Sequence, residues 1–356
     1  MKKFLILFVL FSSMSLAFAQ DGVTYLQRLD IRGGRPINMH IVFVEPNSDY
    51  KVELTYGNRE ITKLMRVENF AKEADAYAAM NASFFKQDTG LPLGLSIMNG
   101  RLMTGPLFQR SAFGIDKHNN CFIERAALEG KISMGQNYNI DVANINQPIT
   151  SCAAGAYLYN YHWGSRTPDT SDDYFHIVVC KNRIEKISNN PVTIPENGYA
   201  IVIAKSFLEY DLRERAPVKY SYKLCPDVFC KVQYAFAGGP NLIIDGKKNI
   251  DAAAQKFGIL FLSEITARSA IGIKKDGTVI LLSVDGRQRG VSEGVNIYEL
   301  ADIMCELGAW QAMNLDGGSS TQMVINKQLV NIPVNRVGAR VTNAVVVVKK
   351  KRHFFF

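Results

Sequence analysis

Residues 38–44 (Asn-Met-His-Ile-Val-Phe-Val) and 50–56 (Tyr-Lys-Val-Glu-Leu-Thr-Tyr) carry apolar side chains in alternation or in short runs, separated by Pro, Asn and Gly. That pattern predicts strands joined by turns. The period changes over residues 67–79, where Ala, Phe and Tyr recur at helical spacing with Glu and Lys between them. A helix is expected there, delivering the chain into Asn81-Ala-Ser-Phe-Phe85. Residues 117–232 are the least periodic part, many short segments punctuated by Asn, Pro and Gly, and they read as an elaborated insertion or sheet extension. Within them, the aromatic run 157–163 fits either a sugar-stacking platform or a buried strand.

The last third is clearer. Residues 268–274 and 278–285 flank Lys275-Asp-Gly277, a hairpin signal. Residues 297–307 form an amphipathic helix with Leu300, Ile303, Met304 and Leu307 on one face, and Gly308 is its natural stop. Strands are expected at 310–315, 322–326 and 341–349. Hairpin-paired strands with interspersed helices, and no regular βαβ alternation, predict an α+β fold: a mixed, largely antiparallel sheet with its active site at strand ends of the C-terminal third. The expected division is a leader at 1–19, N-terminal strands at 20–75 packed on the main domain, and that domain at 76–349 with its elaborated middle at 117–232.

The 47 % hydrophobic and 21 % charged fractions are those of a globular protein. At the N-terminus, Lys2 and Lys3 precede an apolar core running to Leu16, and Ala17-Phe18-Ala19 supplies a cleavage site before Gln20. This is the pattern of a signal peptide, too short for a membrane span. The mature chain is therefore expected to be exported, periplasmic or extracellular, without stable membrane insertion. The net charge of +8 suits an anionic ligand or envelope surface. No basic stripe with interleaved aromatics is present, so nucleic acid is not an expected partner. Cys225 and Cys230 are spaced to close a small loop, as a bridge or as two free thiols. His40, His118, His162, His176 and His353 include no i,i+4 pair, and although carboxylates with Asn suit Ca²⁺, no spaced ligand loop signals it; no metal or other cofactor is expected.

Asn314-Leu-Asp-Gly-Gly-Ser-Ser-Thr321 sets a carboxylate at a strand end, followed by two glycines that admit close backbone approach and three hydroxyls. Such a loop can hold a phosphate or a sugar. It lacks the lysine and glycine spacing of a Walker loop, and alone it also reads as an Asp-Gly turn capped by Ser and Thr. Val284-Asp-Gly-Arg287 ends the preceding strand with a second carboxylate, and two carboxylates in one cleft can divide acid and base work. Arg268 offers a planar fork for phosphate. Plain turns and a surface ion pair are the bland alternatives. No Gly-x-Ser-x-Gly nucleophile motif occurs.

Asn81-Ala-Ser-Phe-Phe85, Ala237-Gly-Gly-Pro-Asn-Leu-Ile-Ile-Asp-Gly246, Arg268-Ser-Ala-Ile-Gly272, Val284-Asp-Gly-Arg287, the 314–321 loop and Arg340-Val-Thr-Asn343 stand in the order and approximate spacing of the phosphodiester glycosidase family, which this chain resembles over about 81–349. The family includes the lysosomal enzyme that removes N-acetylglucosamine from phosphorylated mannose, and exported bacterial proteins. The resemblance implies a hydrolase that breaks the C1–O bond of a sugar phosphodiester, on a glycan or a small molecule, leaving free sugar and a phosphomonoester. A phosphodiesterase cleaving P–O and a non-catalytic glycan-binding protein are the rival readings. On the implied assignment Asp316 and Asp285 are the acid/base pair. Arg268 and Arg340 neutralise the phosphodiester, and the Gly317 and Gly318 amides with the Ser320 and Thr321 hydroxyls complete a cradle. Asn81 and Asn343 hold sugar hydroxyls or fix the carboxylates, and Ser83, Arg287 and Asn314 complete the substrate-binding set. The chain departs from the family pattern at Ala82 and Ser319, where relatives tend to have glycine, which adds bulk beside the expected pocket.

Overall fold

The computed structural model describes residues 6–10, 13–57, 61–135, 138–208 and 212–350. Lys2 and Lys3 of the leader, and Lys351, Arg352 and His353 at the C-terminus, lie outside them. The backbone is built mostly from antiparallel strands. The largest sheet has nine, in the order Ile6–Leu10, Ser13–Gln20, Val23–Arg32, Arg35–Val44, Val279–Val284, Arg268–Lys274, Ala309–Asn314, Asn241–Ile244 and Lys247–Lys248. The expected hairpin forms its centre, Arg268 opposite Val284 and Gly272 opposite Ile280. Ser13–Gln20 pairs with Val23–Arg32, so loss of residues 1–19 would make Val23–Arg32 the edge.

Alternation decides which face of this sheet each side chain joins. Ile41, Ala270, Ile280, Leu282 and Ala312 lie under the apolar face of a helix, α3 (Ile297–Glu306), which buries Ile297, Leu300, Ala301, Ile303 and Met304. Their neighbours Val42, Ile271, Leu281 and Met313 point to the other side, against Val52, Leu54, Val345 and Val347 of a second sheet. That five-stranded sheet runs Gln328–Leu329, Met323–Ile325, Ala78–Asn81, Asn343–Lys349, Tyr50–Tyr56. Its outer face is covered by α1 (Val67–Glu73) through Val67, Phe70 and Ala71. A third helix, α2 (Ile259–Ser263), lies near the strand ends. Burying a side chain such as Leu281 or Phe70 stabilises by about 2 kcal/mol, and the alternation lets one strand supply both layers.

Two segments differ from the sequence reading. The helix expected over 67–79 stops at Glu73, because Asp75 turns left-handed (φ +49) and the chain re-enters as a strand at Ala78. Ala78 and Met80 bury toward the sandwich and Ala79 toward α1, so burial on both faces overrides helical spacing. The middle region supplies a seven-stranded sheet, ordered Arg183–Ser188, Tyr174–Cys180, Gly198–Ala204, Ala156–Tyr159, Tyr138–Ile145, Ala127–Met134, Val218–Cys225, and one strand, Cys121–Arg125, of a second five-stranded sheet whose other strands flank the region in sequence. Tyr138–Ile145 and Ala156–Tyr159 run parallel, the one such pair among the described strands, which makes the sheets mixed. The helical share is smaller than an α+β reading suggests. Tyr157 and Tyr159 are buried core residues of the strand Ala156–Tyr159, whereas the rest of the aromatic run turns outward and leaves Tyr161 exposed. Cys225 and Cys230 are free thiols. Among the described residues no helix is long and apolar enough to cross a membrane.

Helix α3 starts on a capping box: Asn296 Oδ1 accepts from Glu299 N at 2.9 Å, and Glu299 Oε2 accepts from Asn296 N at 3.0 Å. Asn296→Ala should cost about 1 kcal/mol. Urea denaturation checks this, and an unchanged midpoint would mean the cap contributes nothing.

Candidate active site

The antiparallel register brings several motif-bearing strand ends to one rim. Arg268 opens its strand opposite Val284, so Asp285 lies beside the residues preceding Arg268. Asn314 ends the neighbouring strand opposite Ala270. From there the chain crosses to the other sheet: Leu315 N donates to Ser269 O at 2.9 Å, then Asp316 N to Ala82 O at 3.0 Å. Asn81, fully buried at the end of Ala78–Asn81, fastens this crossing. Its Nδ2 donates to Asp316 O at 2.6 Å, and its Oδ1 accepts from Ser269 Oγ at 2.8 Å and Gln322 N at 3.1 Å.

The two glycines of the loop are used for close packing. Gly318 is left-handed (φ +61) and donates its N–H to Ala267 O at 2.7 Å. A Cβ on Gly317 would stand 2.9 Å from the same oxygen. Gly317 N donates to Asp316 Oδ1 at 3.0 Å, Ser320 hydrogen-bonds the Asp316 carboxyl, and Thr321 is buried with Ser269 Oγ 3.5 Å from its hydroxyl. The expected ligand cradle is therefore already engaged within the loop: its amides and hydroxyls hold Asp316 and the chain crossing. Asp316 itself is half-buried. Loss of hydration lifts its pKa to about 6, against the opposing pull of Ser320 and the Gly317 amide. A carboxyl poised there changes protonation near neutral pH.

Asp285 stands behind the rim. It is fully buried, its Oδ1 accepts from Asn331 Nδ2 and Ile332 N, both at 3.0 Å, and its Oδ2 accepts from Asn38 Nδ2 at 2.8 Å. His40 Nε2 lies 3.5 Å away, and its Nδ1 meets Tyr25 OH at 2.8 Å. With no exposed oxygen, Asp285 ties the 331–332 segment to the nine-stranded sheet and does not face the cleft that the sequence reading gave it.

The cations are corrected in the same way. Arg268 is 2 % exposed; its Nη2 donates to Phe261 O and Glu264 O at 2.9 and 2.7 Å, its Nε to Val295 O at 3.3 Å, and Phe261 covers its face. Burial pushes its pKa down to about 10. It braces the segment around α2 instead of presenting a fork outward. Arg287 is exposed and paired with Glu264 at 2.8 Å, over Gly318. Arg340 is exposed. Asn314, buried, donates to Gly239 O and Leu315 O at 2.9 and 2.8 Å, and Asn343 holds Ser83 through its amide N–H and hydroxyl. Of the two departures from the family pattern, Ala82 belongs to the core, and only Ser319 is exposed at the loop.

Two groups at this rim were not singled out from the sequence. Glu264 is a second carboxylate, placed over the glycine loop by its pairing with Arg287. Arg110 sits among Phe84, Phe108 and Phe257, its guanidinium 4.2 Å from the Phe257 centroid. A surface hollow lined by Lys51, Glu53, Tyr234 and Lys349 among others lies elsewhere and includes none of the motif side chains. Among the described residues no group of three or more His, Cys, Asp or Glu is arranged to hold a metal ion.

Fold and site together define a β-rich domain with a half-buried carboxyl, Asp316, at the rim where two sheets meet. The family model described as phosphodiester glycosidase matches residues 176–348, and over that stretch the chain is similar to that family. The match takes in five of the six motifs and leaves Asn81-Ala-Ser-Phe-Phe85 outside. Over 73 residues the chain is 37 % identical to N-acetylglucosamine-1-phosphodiester alpha-N-acetylglucosaminidase of Bos taurus, a stretch covering 20 % of this chain and 14 % of that protein. Among solved structures, a Synechocystis protein superposes with TM-score 0.82 at 24 % identity over 97 % of this chain and 68 % of its own. The catalytic domain of zebrafish N-acetylglucosamine-1-phosphodiester alpha-N-acetylglucosaminidase gives 0.52 at 17 % identity, over 95 % and 89 %. At these identities the structural likenesses show the fold.

The two aspartates should separate in stability measurements. Asp285→Ala strands several buried donors and should cost about 3 kcal/mol. Asp316, whose folded pKa of about 6 exceeds the 3.8 of a free carboxyl, contributes full stability below about pH 4 and loses it as pH rises through 6. Asp316→Asn should therefore raise the melting temperature at pH 7.5 and lose that advantage at pH 3.5. Equal behaviour of the two variants across pH would contradict the assignment.

Proposed function

We propose that the chain is an exported glycosidase hydrolysing the sugar C1–O bond of a glycosyl phosphodiester, with release of free sugar and a phosphomonoester. The observation that carries this reading is Asp316, a reachable carboxyl with a pKa of about 6, held by Ser320 and the Gly317 amide on a loop at the meeting of two sheets. The family match over residues 176–348 supports the bond class. The matched stretch is a seventh of the curated bovine relative, so sugar and aglycone are read from chemistry alone.

In this reading the C1–O bond breaks with its electron pair passing to the phosphate oxygen, while water adds to C1 and yields its proton to the Asp316 carboxylate. The leaving phosphomonoester, with a second pKa near 6, needs little protonation. The main task is orienting water and stabilising the oxocarbenium-like sugar. Asp285 acts from behind as a positioning residue, through Asn331 and the chain entering Ile332. Glu264 is the second carboxylate near the loop and, with Arg287, faces its outer side.

Purified protein incubated with UDP-N-acetylglucosamine, with products identified by mass, should release N-acetylglucosamine and UDP. Because the working form of Asp316 is ionised, kcat/KM should climb with pH through about 6 and then level. Asp316→Asn should lower kcat by about a hundredfold or more and abolish that limb. Sugar phosphate as product would instead indicate P–O cleavage, and saturable binding without turnover across a broad panel of diesters would indicate a glycan-binding protein.

Export rests on the leader pattern of residues 1–19 and is checked separately. N-terminal sequencing of the protein recovered from its native cell envelope or medium should begin at Gln20. A chain still beginning at Met1 would overturn processing.

A further inference from the structure

We propose that Arg110 is the side chain that receives the phosphate of the substrate at this rim, a role that rests on the glycosyl phosphodiester reading and names its anion seat. The argument begins with what the other arginines are doing. Arg268 spends its guanidinium on three backbone carbonyls, and Arg287 is neutralised by Glu264. Arg340 is exposed, and no aromatic ring or carbonyl braces it among the described residues.

Arg110 is different. It is half-buried, its Nε donates to Gln255 O at 3.3 Å, and its two terminal nitrogens have no protein acceptor among the described residues while remaining in contact with solvent. No described carboxylate lies within ion-pair distance. Phe257 stacks on the guanidinium at 4.2 Å, with Phe108 at 5.5 Å and Phe84 at 5.8 Å. Rings covering a guanidinium fix its plane and leave its nitrogen edge to act. Burial pulls its pKa downward, the mark of a partly dehydrated charge with no counter-ion. An anion supplied from outside completes such a site, and a phosphodiester offers two oxygens to a planar fork.

The position also connects to Asp316. Ser111, the next residue, accepts from Gly238 N through its carbonyl at 2.9 Å, and Gly239 N donates to Asn314 O at 2.7 Å, two residues before Asp316. On the other side, Phe84 follows Ser83 in the segment whose Ala82 carbonyl receives Asp316 N. Gln255, fully buried, fixes the Arg110 turn by accepting from Ser111 N at 2.9 Å and donating to Ser111 Oγ at 2.7 Å. A guanidinium so held is preorganised before ligand arrives.

The test uses phenyl phosphate as an anion probe by titration calorimetry, UDP-N-acetylglucosamine as diester, and p-nitrophenyl N-acetylglucosaminide as an uncharged comparison. Arg110→Gln should weaken phenyl phosphate binding and raise KM for the diester by about tenfold or more, with kcat changed far less and the uncharged glycoside unaffected. Arg110→Lys should recover only part of the loss, because it keeps charge without the fork. Should the Gln variant not fold, the Lys variant and guanidinium rescue of Arg110→Ala carry the same comparison. Wild-type phosphate affinity and KM in Arg110→Gln, with diester turnover intact, would overturn this inference and leave the proposed function standing. Arg110-dependent phosphate binding in a wild-type protein that turns over no diester would support the anion seat while removing the glycosidase reading.

Discussion

The rim depends on how Asn81 is satisfied. This buried amide donates to the carbonyl of Asp316 and accepts from Ser269 Oγ and Gln322 N, so one side chain joins the five-stranded sheet to the loop leaving the nine-stranded one. A chain crossing between sheets breaks its ladder, and the freed backbone groups need partners that strands no longer provide. Asparagine suits that work because it offers donors and acceptors without a charge to desolvate. Asn314, Asn331 and Asn343 do the same at Gly239 and Leu315, at Asp285 and Thr321, and at Ser83. Each bond contributes about 1 kcal/mol net, but a deletion would strand its partners in an apolar setting, and that larger cost makes the belt rigid.

Two aspartates at neighbouring strand ends consequently have different fates. Asp285 receives three hydrogen bonds from two asparagine side chains and a backbone amide in a sealed place, so its oxygens are spent on register. Asp316 keeps the Gly317 amide and Ser320 but loses much of its water, and its proton affinity rises. The burial of Asp316 opposes its ionised form, so ionising it as pH rises through about 6 costs stability. A residue that costs stability at neutral pH, held by a belt that adds rigidity, is the distribution expected where local strain serves chemistry.

Much of this was legible in sequence, for identifiable reasons. The hairpin about Lys275-Asp-Gly277, the stop at Gly308 and the strand into the glycine loop follow from local turn chemistry and periodicity, which is why they appear as read. The helix over 67–79 failed because Ala78–Asn81 is buried on both faces, a tertiary fact that helical spacing cannot report. The motif residues were correctly located at strand ends, but their roles were assigned as if every polar group faced a ligand. Burial divided them: Asp316 and Arg287 stayed reachable, whereas Arg268, Asp285, Asn314, Thr321 and Asn343 turned inward. Sequence order carries no sign of that division. Glu264 and Arg110 escaped notice because they stand outside the motifs and are joined to the rim only by folding.

This division bears on selectivity. The extra side chain at Ala82 packs into the core and cannot meet a sugar, whereas Ser319 stands exposed at the tip of the loop that holds Asp316. Any influence of the departed glycines on the accepted sugar therefore runs through Ser319, by bulk and a hydroxyl next to the carboxyl, while Ala82 acts on how the two sheets pack. The asparagine belt acts on the framework and not on the ligand, since Asn81, Asn314 and Asn343 are fully buried and Asn331 nearly so. A relative sharing the belt with different residues at 319, 264 and 108 would keep this framework and the position of its carboxyl. It would present a different surface to substrate, so belt similarity identifies the framework far better than it identifies the sugar.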